Sequence, residues 1–155
     1  VDQTLSTNMP GIWAAGDVAE TRDRLSGERY VHAIWPNAVA QGIVVAERML
    51  GYDISYAGSE SMNSLRHLGI PLIAAGASRG GETLRLAGDG WMRKIFLDGG
   101  RIAGYRLAGN ISGAGVYRSL MLRGVDVRDF GTALVEPGFG IGKLASITPE
   151  ITARP

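Results

Sequence analysis

Thr7-Asn8-Met9-Pro10-Gly11-Ile12-Trp13-Ala14-Ala15-Gly16-Asp17 reads as a polar turn, a short apolar strand and an acid at the strand's end. Pro10 fixes one backbone dihedral and Gly11 accepts the other, so Met9-Pro10-Gly11 is expected to bend tightly. Ile12-Trp13-Ala14-Ala15 is short enough for a buried parallel strand. Gly16 then lets another group approach the backbone, and Asp17 presents an acceptor-only carboxylate past the strand's C-terminal end. Open α/β sheets bind their ligands at that edge. Gly-Asp alone is an ordinary turn dipeptide; the weight lies in the whole string and in the loop and helix C-terminal to it.

A variable polar stretch, Glu20 to Arg29, leads to Trp35-Pro36-Asn37-Ala38-Val39-Ala40-Gln41-Gly42-Ile43-Val44-Val45-Ala46-Glu47-Arg48-Met49-Leu50-Gly51. Pro36 suits the first position of a helix, where a missing N–H costs nothing, and Gly51 suits the left-handed residue past its end. Val39, Ile43, Ala46 and Leu50 form an apolar stripe that Ala38, Gly42, Val45 and Met49 widen. A helix this apolar is expected to pack on more than one side. Gly42 costs roughly 1 kcal/mol of helix propensity relative to alanine, which predicts a neighbouring backbone close by.

Acid, loop and capped helix together resemble the second flavin-binding motif of the two-dinucleotide-domain flavoprotein reductases, the pyridine nucleotide-disulfide oxidoreductases. In that family the motif stands late in a much longer protein, so the FAD and NAD(P)H domains are expected N-terminal to this chain, as its partners. The resemblance gives Asp17, beside Gly16, a hydrogen bond from a ribityl hydroxyl of FAD, and points the helix start at the flavin's pyrimidine edge. A flavin that accepts a hydride gains negative charge near N1 and O2, which unpaired amides at a helix start stabilise. The amides of Asn37 and Ala38, next to Pro36, are the candidates; Trp35 either covers the ring edge or joins the core. The implied cofactor is FAD, with NAD(P)H as co-substrate, in a cytoplasmic enzyme.

With 155 residues, 45% hydrophobic and 20% charged, the chain can bury a substantial core. A net charge of +1 offers no electrostatic case for nucleic acid or an anionic membrane, and no apolar run is long enough to span a bilayer. Absence of cysteine leaves no thiol relay within the chain; relatives that use such cysteines carry them in the N-terminal flavin domain. The lipoamide and glutathione reductase branch has a His-Pro pair, whereas here His32 precedes Ala33 and His67 precedes Leu68, which disfavours that branch. Both histidines are read as structural, and no metal site and no catalytic residue is assigned.

Tyr52 to Ser61 reads as a linker. Leu72 to Ala77 and Glu82 to Ala87 read as strands, Gly88-Asp89-Gly90 as a turn, and Trp91 to Leu97 with Arg101 to Ala108 as a hairpin around Asp98-Gly99-Gly100. Gly109-Asn110-Ile111-Ser112 offers caps for a helix through Arg123, stopped by Gly124. Gly109 to Gly115 lacks the lysine and spacing of a phosphate loop and is read as a structural turn. The fold class is α+β: the remnant of an FAD-binding domain, strand plus helix, over residues 1–52; a linker over 53–62; a small antiparallel sheet packed with a helix over 63–130; and a flexible tail over 131–155. Lys94 to Gly109, strand, turn, strand and glycine before a helix, is similar to the C-terminal domain of the rubredoxin reductase, nitrite reductase and NADH oxidase branch. That domain forms the homodimer contact in some members. Residues 131–155 fall outside the resemblance.

The expected function is therefore the C-terminal portion of a flavoprotein oxidoreductase passing hydride from NAD(P)H to FAD and on to an acceptor. With no Gly-x-Gly-x-x-Gly unit, the chain alone is expected to be inactive. The competing reading is a non-catalytic interaction or dimerisation module that docks through the apolar helix.

Overall fold

Met9, Pro10 and Gly11 bend as their chemistry dictates: the Ile12 amide donates to the Met9 carbonyl at 3.1 Å, with Gly11 at φ 78°. The computed structural model describes residues 1–66 and 69–143, so His67 and the last twelve residues of the expected tail lie outside the described residues. The chain divides into two units, Val1–Ser61 and Met62–Pro155.

In the first unit the bend closes a small antiparallel loop, with Ser6 bridged to Trp13 and the Thr7 amide donating to the Ile12 carbonyl at 2.9 Å. The expected parallel strand at Ile12 to Ala15 is not formed. A parallel strand needs ladder neighbours, and among the described residues only the segment around Leu5 and Ser6 pairs with this one; Ile12 is 52% exposed. Strands β1 (Glu20–Arg22) and β2 (Arg29–Val31) pair antiparallel, and helix α1 runs Trp35–Met49. Pro36 is the second helical residue rather than the first. Leu50 caps the helix and Gly51 follows in the left-handed region at φ 88°.

The buried face of α1 is Asn37, Gln41 and Val44, not the apolar stripe. Val39, Ile43, Met49 and Leu50 are all exposed, so packing on more than one side is not observed, and nothing lies within 4 Å of where a Gly42 Cβ would stand. The reason lies in the interior they would join. Buried apolar side chains in this unit are only Leu5, Ala19 and Val44 among the described residues, beside buried Thr21, Asp23, His32, Asn37, Gln41 and Ser59. Hydrogen bonding selects the helix's polar face. Residues read as a linker also belong here: the Tyr56 amide donates to the Gln3 carbonyl, Asp23 and Ser59 form a parallel bridge, and Ser59 is wholly buried.

The second unit is a five-stranded antiparallel sheet in the order β3-β4-β7-β6-β5, built from β3 (Met62–Leu65), β4 (Leu72–Gly76), β5 (Glu82–Gly88), β6 (Trp91–Asp98) and β7 (Arg101–Ala108). Asp89-Gly90 and Gly99-Gly100 turn the two hairpins, as their composition demands. Helix α2 (Ala114–Leu122) covers one face, and Ile95, Leu97, Tyr105 and Leu107 pack there against Tyr117, Leu120 and Met121. The α+β architecture is as expected. A Cβ at Gly104 would fall 2.1 Å from the Ala77 carbonyl oxygen, so β7 needs glycine where the chain leaving β4 crosses it.

Two expectations change. The N-cap of α2 is Gly113 at φ 82°, with no side-chain cap; Asn110 instead accepts from the Ser112 amide and from Arg93. The expected flexible tail begins as structure: a 3-10 segment, Arg128–Val135, kinks at Gly131 and places Phe130, Leu134 and Val135 in the core, followed by Phe139, stacked on Tyr117 at 5.3 Å between centroids. Arg93, fully buried with no carboxylate partner among the described residues, binds the Tyr117 hydroxyl, Asn110 Oδ1 and the carbonyls of Ser112, Glu136 and Pro137, and so ties this segment to β6.

Candidate functional site

Gly16 sits at φ 81°, and its amide donates to the Gln41 side-chain carbonyl at 2.7 Å. A Cβ built on Gly16 would stand 3.6 Å from that of Ala38, ordinary contact, so the motif lies against the first turn of α1. Gly16 to Ala19 is a turn closed by the Ala19 amide on the Gly16 carbonyl. Asp17 rides on it, exposed, with no hydrogen bond or ion pair to any described residue. Its carboxylate is open to an external donor.

Asn37 and Trp35 are separated by their side chains' fates. The Asn37 side chain is buried, donating to the Glu60 carbonyl at 3.0 Å and accepting the Glu60 amide at 3.1 Å, which leaves its own amide N–H without a partner among the described residues. Trp35 is 81% exposed, so it is not core. The Ala38 amide does not fit the role expected of it, because it already donates to the Ile34 carbonyl at 3.1 Å. That bond is the first of the helix, and Pro36 has no N–H to offer. The open amides at the helix start are therefore those of Asn37 and Trp35.

Behind this surface lies a polar network of which the motif gives no sign. Gln41 bonds Gly16 with its oxygen and the Ser59 hydroxyl with its nitrogen, at 3.2 Å; Ser59 also meets Thr21 at 2.7 Å and Tyr56 at 3.0 Å. Gln41 thus positions Gly16, and the signal that could have found it is a polar residue one turn after Asn37 in an otherwise apolar run. His32 is buried, with Nδ1 3.1 Å from the Tyr30 carbonyl and Nε2 3.1 Å from Asp23 Oδ2, and its ring stacks on Tyr30. Burial works against ionisation of Asp23, but the amides of Ser26 and Leu25, with His32 and Ser61, outweigh it and hold the carboxyl down at about 2. A cavity of about 320 Å³ opens elsewhere in the unit, between Arg22, Gly27, Tyr56 and Gly58, and includes none of the motif residues. No group of three or more metal-ligating side chains occurs among the described residues.

No family model matches the chain. Over 151 residues it is 27% identical to the NADH-dependent phenylglyoxylate dehydrogenase subunit epsilon of Aromatoleum evansii, covering 92% of this chain and 36% of that protein. Among solved structures, the water-forming NADH oxidase from Lactobacillus brevis superposes with a TM-score of 0.70 at 18% identity, over 99% of this chain and 40% of that one. An FAD-dependent pyridine nucleotide-disulphide oxidoreductase from Desulfovibrio vulgaris gives 0.69 at 16%, over 87% and 38%. A structure from Enterococcus faecalis that this chain also resembles, with a TM-score of 0.65 at 20% identity over 84% of this chain and 35% of that one, is likewise described as a pyridine nucleotide-disulfide oxidoreductase. At these structural identities the likeness is one of fold, that of the C-terminal region of the oxidoreductases, and the chain spans little more than a third of their length. No described helix is long and apolar enough to cross a membrane.

Proposed function

We infer that this chain is the part of an NAD(P)H-dependent flavoprotein oxidoreductase that closes the flavin site and carries the C-terminal domain. The observation that carries the reading is Asp17: an exposed carboxylate with no partner among the described residues, next in the chain to Gly16, which lies against Ala38 and Gln41 of α1. A free acceptor on the turn and free donors at the helix start suit a ligand with hydroxyls on one side and an electron-rich heterocycle edge on the other, so these residues fit FAD. FAD, when bound, supplies hydride transfer from NAD(P)H to an acceptor. The chain's own residues bind and orient. Asp17 accepts from a ribityl hydroxyl; Gly16 admits the ligand close to the backbone; the Asn37 amide meets negative charge at the pyrimidine edge, with Trp35 alongside it. Pro36 shapes the helix start, and Ala38 spaces it from Gly16. The remaining walls of the site come from the FAD and NAD(P)H domains of the same protein.

The test is Asp17→Ala in the flavin-loaded oxidoreductase. Loss of a charge-assisted hydrogen bond weakens flavin retention by about tenfold or more, read as flavin released on gel filtration, while circular dichroism is unchanged. Unaltered retention would remove Asp17 from the flavin site. A second reading, an interaction or dimerisation module, is favoured by one observation: the open apolar face of α1.

A further inference from the structure

On the face of the sheet away from α2, the strand register sets Arg85 of β5 directly opposite Lys94 of β6, and Lys94 directly opposite Arg106 of β7. The row runs on through Ala74 to Asn63. By the two-residue alternation of strands, Thr83, Phe96 and Gly104 flank it on one side and Ala87, Met92 and Ala108 on the other, and none of these is acidic. Like charges directly opposite one another cost stability. Lys94 Nζ lies 4.9 Å and Arg106 Cζ 5.4 Å from the Phe96 ring centre, and Arg106 also donates to the carbonyls of Ala75, Gly76 and Tyr105. A ring and carbonyl dipoles hold the cations in place but bring no counter-charge. Among the described residues no ion pair engages Arg85, Lys94 or Arg106.

We propose that this face docks an acidic helix of a partner protein, its carboxylates seated along the Arg85–Lys94–Arg106 row. Adjacent strands repeat every ~4.8 Å. Glutamates at i, i+4 and i+8 of a helix present Cβ atoms ~5–6 Å apart, close to that repeat, whereas same-face residues of an extended strand are ~6.8 Å apart. The three residues stand in register across three strands, which matches a rod laid across the sheet. Arg85 is exposed, and Lys94 and Arg106 are half-buried, so the charges remain reachable. This proposal stands independently of the flavin reading.

The experiment is a 1H–15N titration of the 155-residue chain with a synthetic helix bearing Glu at i, i+4 and i+8. The expected result is shifts centred on Arg85, Lys94, Phe96 and Arg106, weakening steeply with salt. Lys94→Glu lowers affinity about tenfold or more, and the triple change Arg85→Glu, Lys94→Glu, Arg106→Glu binds the lysine-bearing version of the peptide instead. Lys94→Glu turns two like-charge pairs into opposite ones, so its fold is retained, as circular dichroism checks; Arg85→Glu, on the exposed edge strand, gives an independent reading. Equal binding by a scrambled peptide of the same composition, equal displacement of the same resonances by inorganic phosphate, or indifference to both variants overturns the proposal.

Discussion

Asp23 gathers the amides of Leu25 and Ser26, the hydroxyls of Tyr30 and Ser61 and the His32 ring around one carboxylate. Its pKa is about 2 when folded against an ordinary 3.8, so the folded form prefers the ionised carboxylate. The resulting stability is fully present above about pH 4 and drains away as pH falls through 2, because the unfolded chain takes up a proton the folded one resists. Asp23→Asn is expected to cost about 2 kcal/mol at neutral pH, and to flatten the acid limb of a melting-temperature profile between pH 2 and 4. Tyr117 plays the matching part in the second unit: its hydroxyl donates to the Leu134 carbonyl and accepts from Arg93. Tyr117→Phe leaves a buried guanidinium and a buried carbonyl each short of a partner, and urea denaturation should show a loss of about 1–3 kcal/mol. Neither role was legible in the sequence, since a lone aspartate after a strand or a tyrosine on a helix face says nothing about which distant groups it will meet. The turn at Gly16-Asp17 was legible, because glycine and aspartate favour a turn by local chemistry alone.

At the scale of the element, α1 is where pattern and packing part. Its apolar positions are real, yet the face turned inward is Asn37, Gln41 and Val44, held through Glu60, Gly16 and Ser59. Periodicity identifies a helix and its two faces; it does not say which face the nearest interior will accept. The open face gives a prediction. Ile43→Lys with Met49→Lys should change the melting temperature of the 155-residue chain little, within about 0.5 kcal/mol, and should abolish any self-association seen by light scattering. A loss of several kcal/mol would mean that this face is buried in the folded chain. The hairpin of β6 and β7 behaved oppositely: Asp98-Gly99-Gly100 set the turn, and alternation set which residues enter the core.

At the scale of the whole molecule, the two units differ in what holds them. The second has a continuous apolar cluster between sheet, α2 and the 3-10 segment; the first has a hydrogen-bonded polar interior with three buried apolar side chains among its described residues. Burial of apolar area is the larger and less directional term, so the second unit is expected to open last. Hydrogen exchange should find the most protected amides in β6 and β7, with α1 exchanging at least about tenfold faster. Equal protection in both would show that the polar network is worth as much as the apolar core.

What the amino-acid order determined alone is what near neighbours decide: glycines where φ is positive, hairpins at Asp-Gly pairs, two helices, the α+β class and the turn at Gly16-Asp17. Tertiary structure decided the rest. It drew Ser59 out of an apparent linker into the heart of the first unit, turned α1 onto its polar side and aligned Arg85, Lys94 and Arg106 in one row. Each of these depends on register or on contact between residues far apart in the chain, and a hydrogen bond over such a distance leaves no period in the sequence to read.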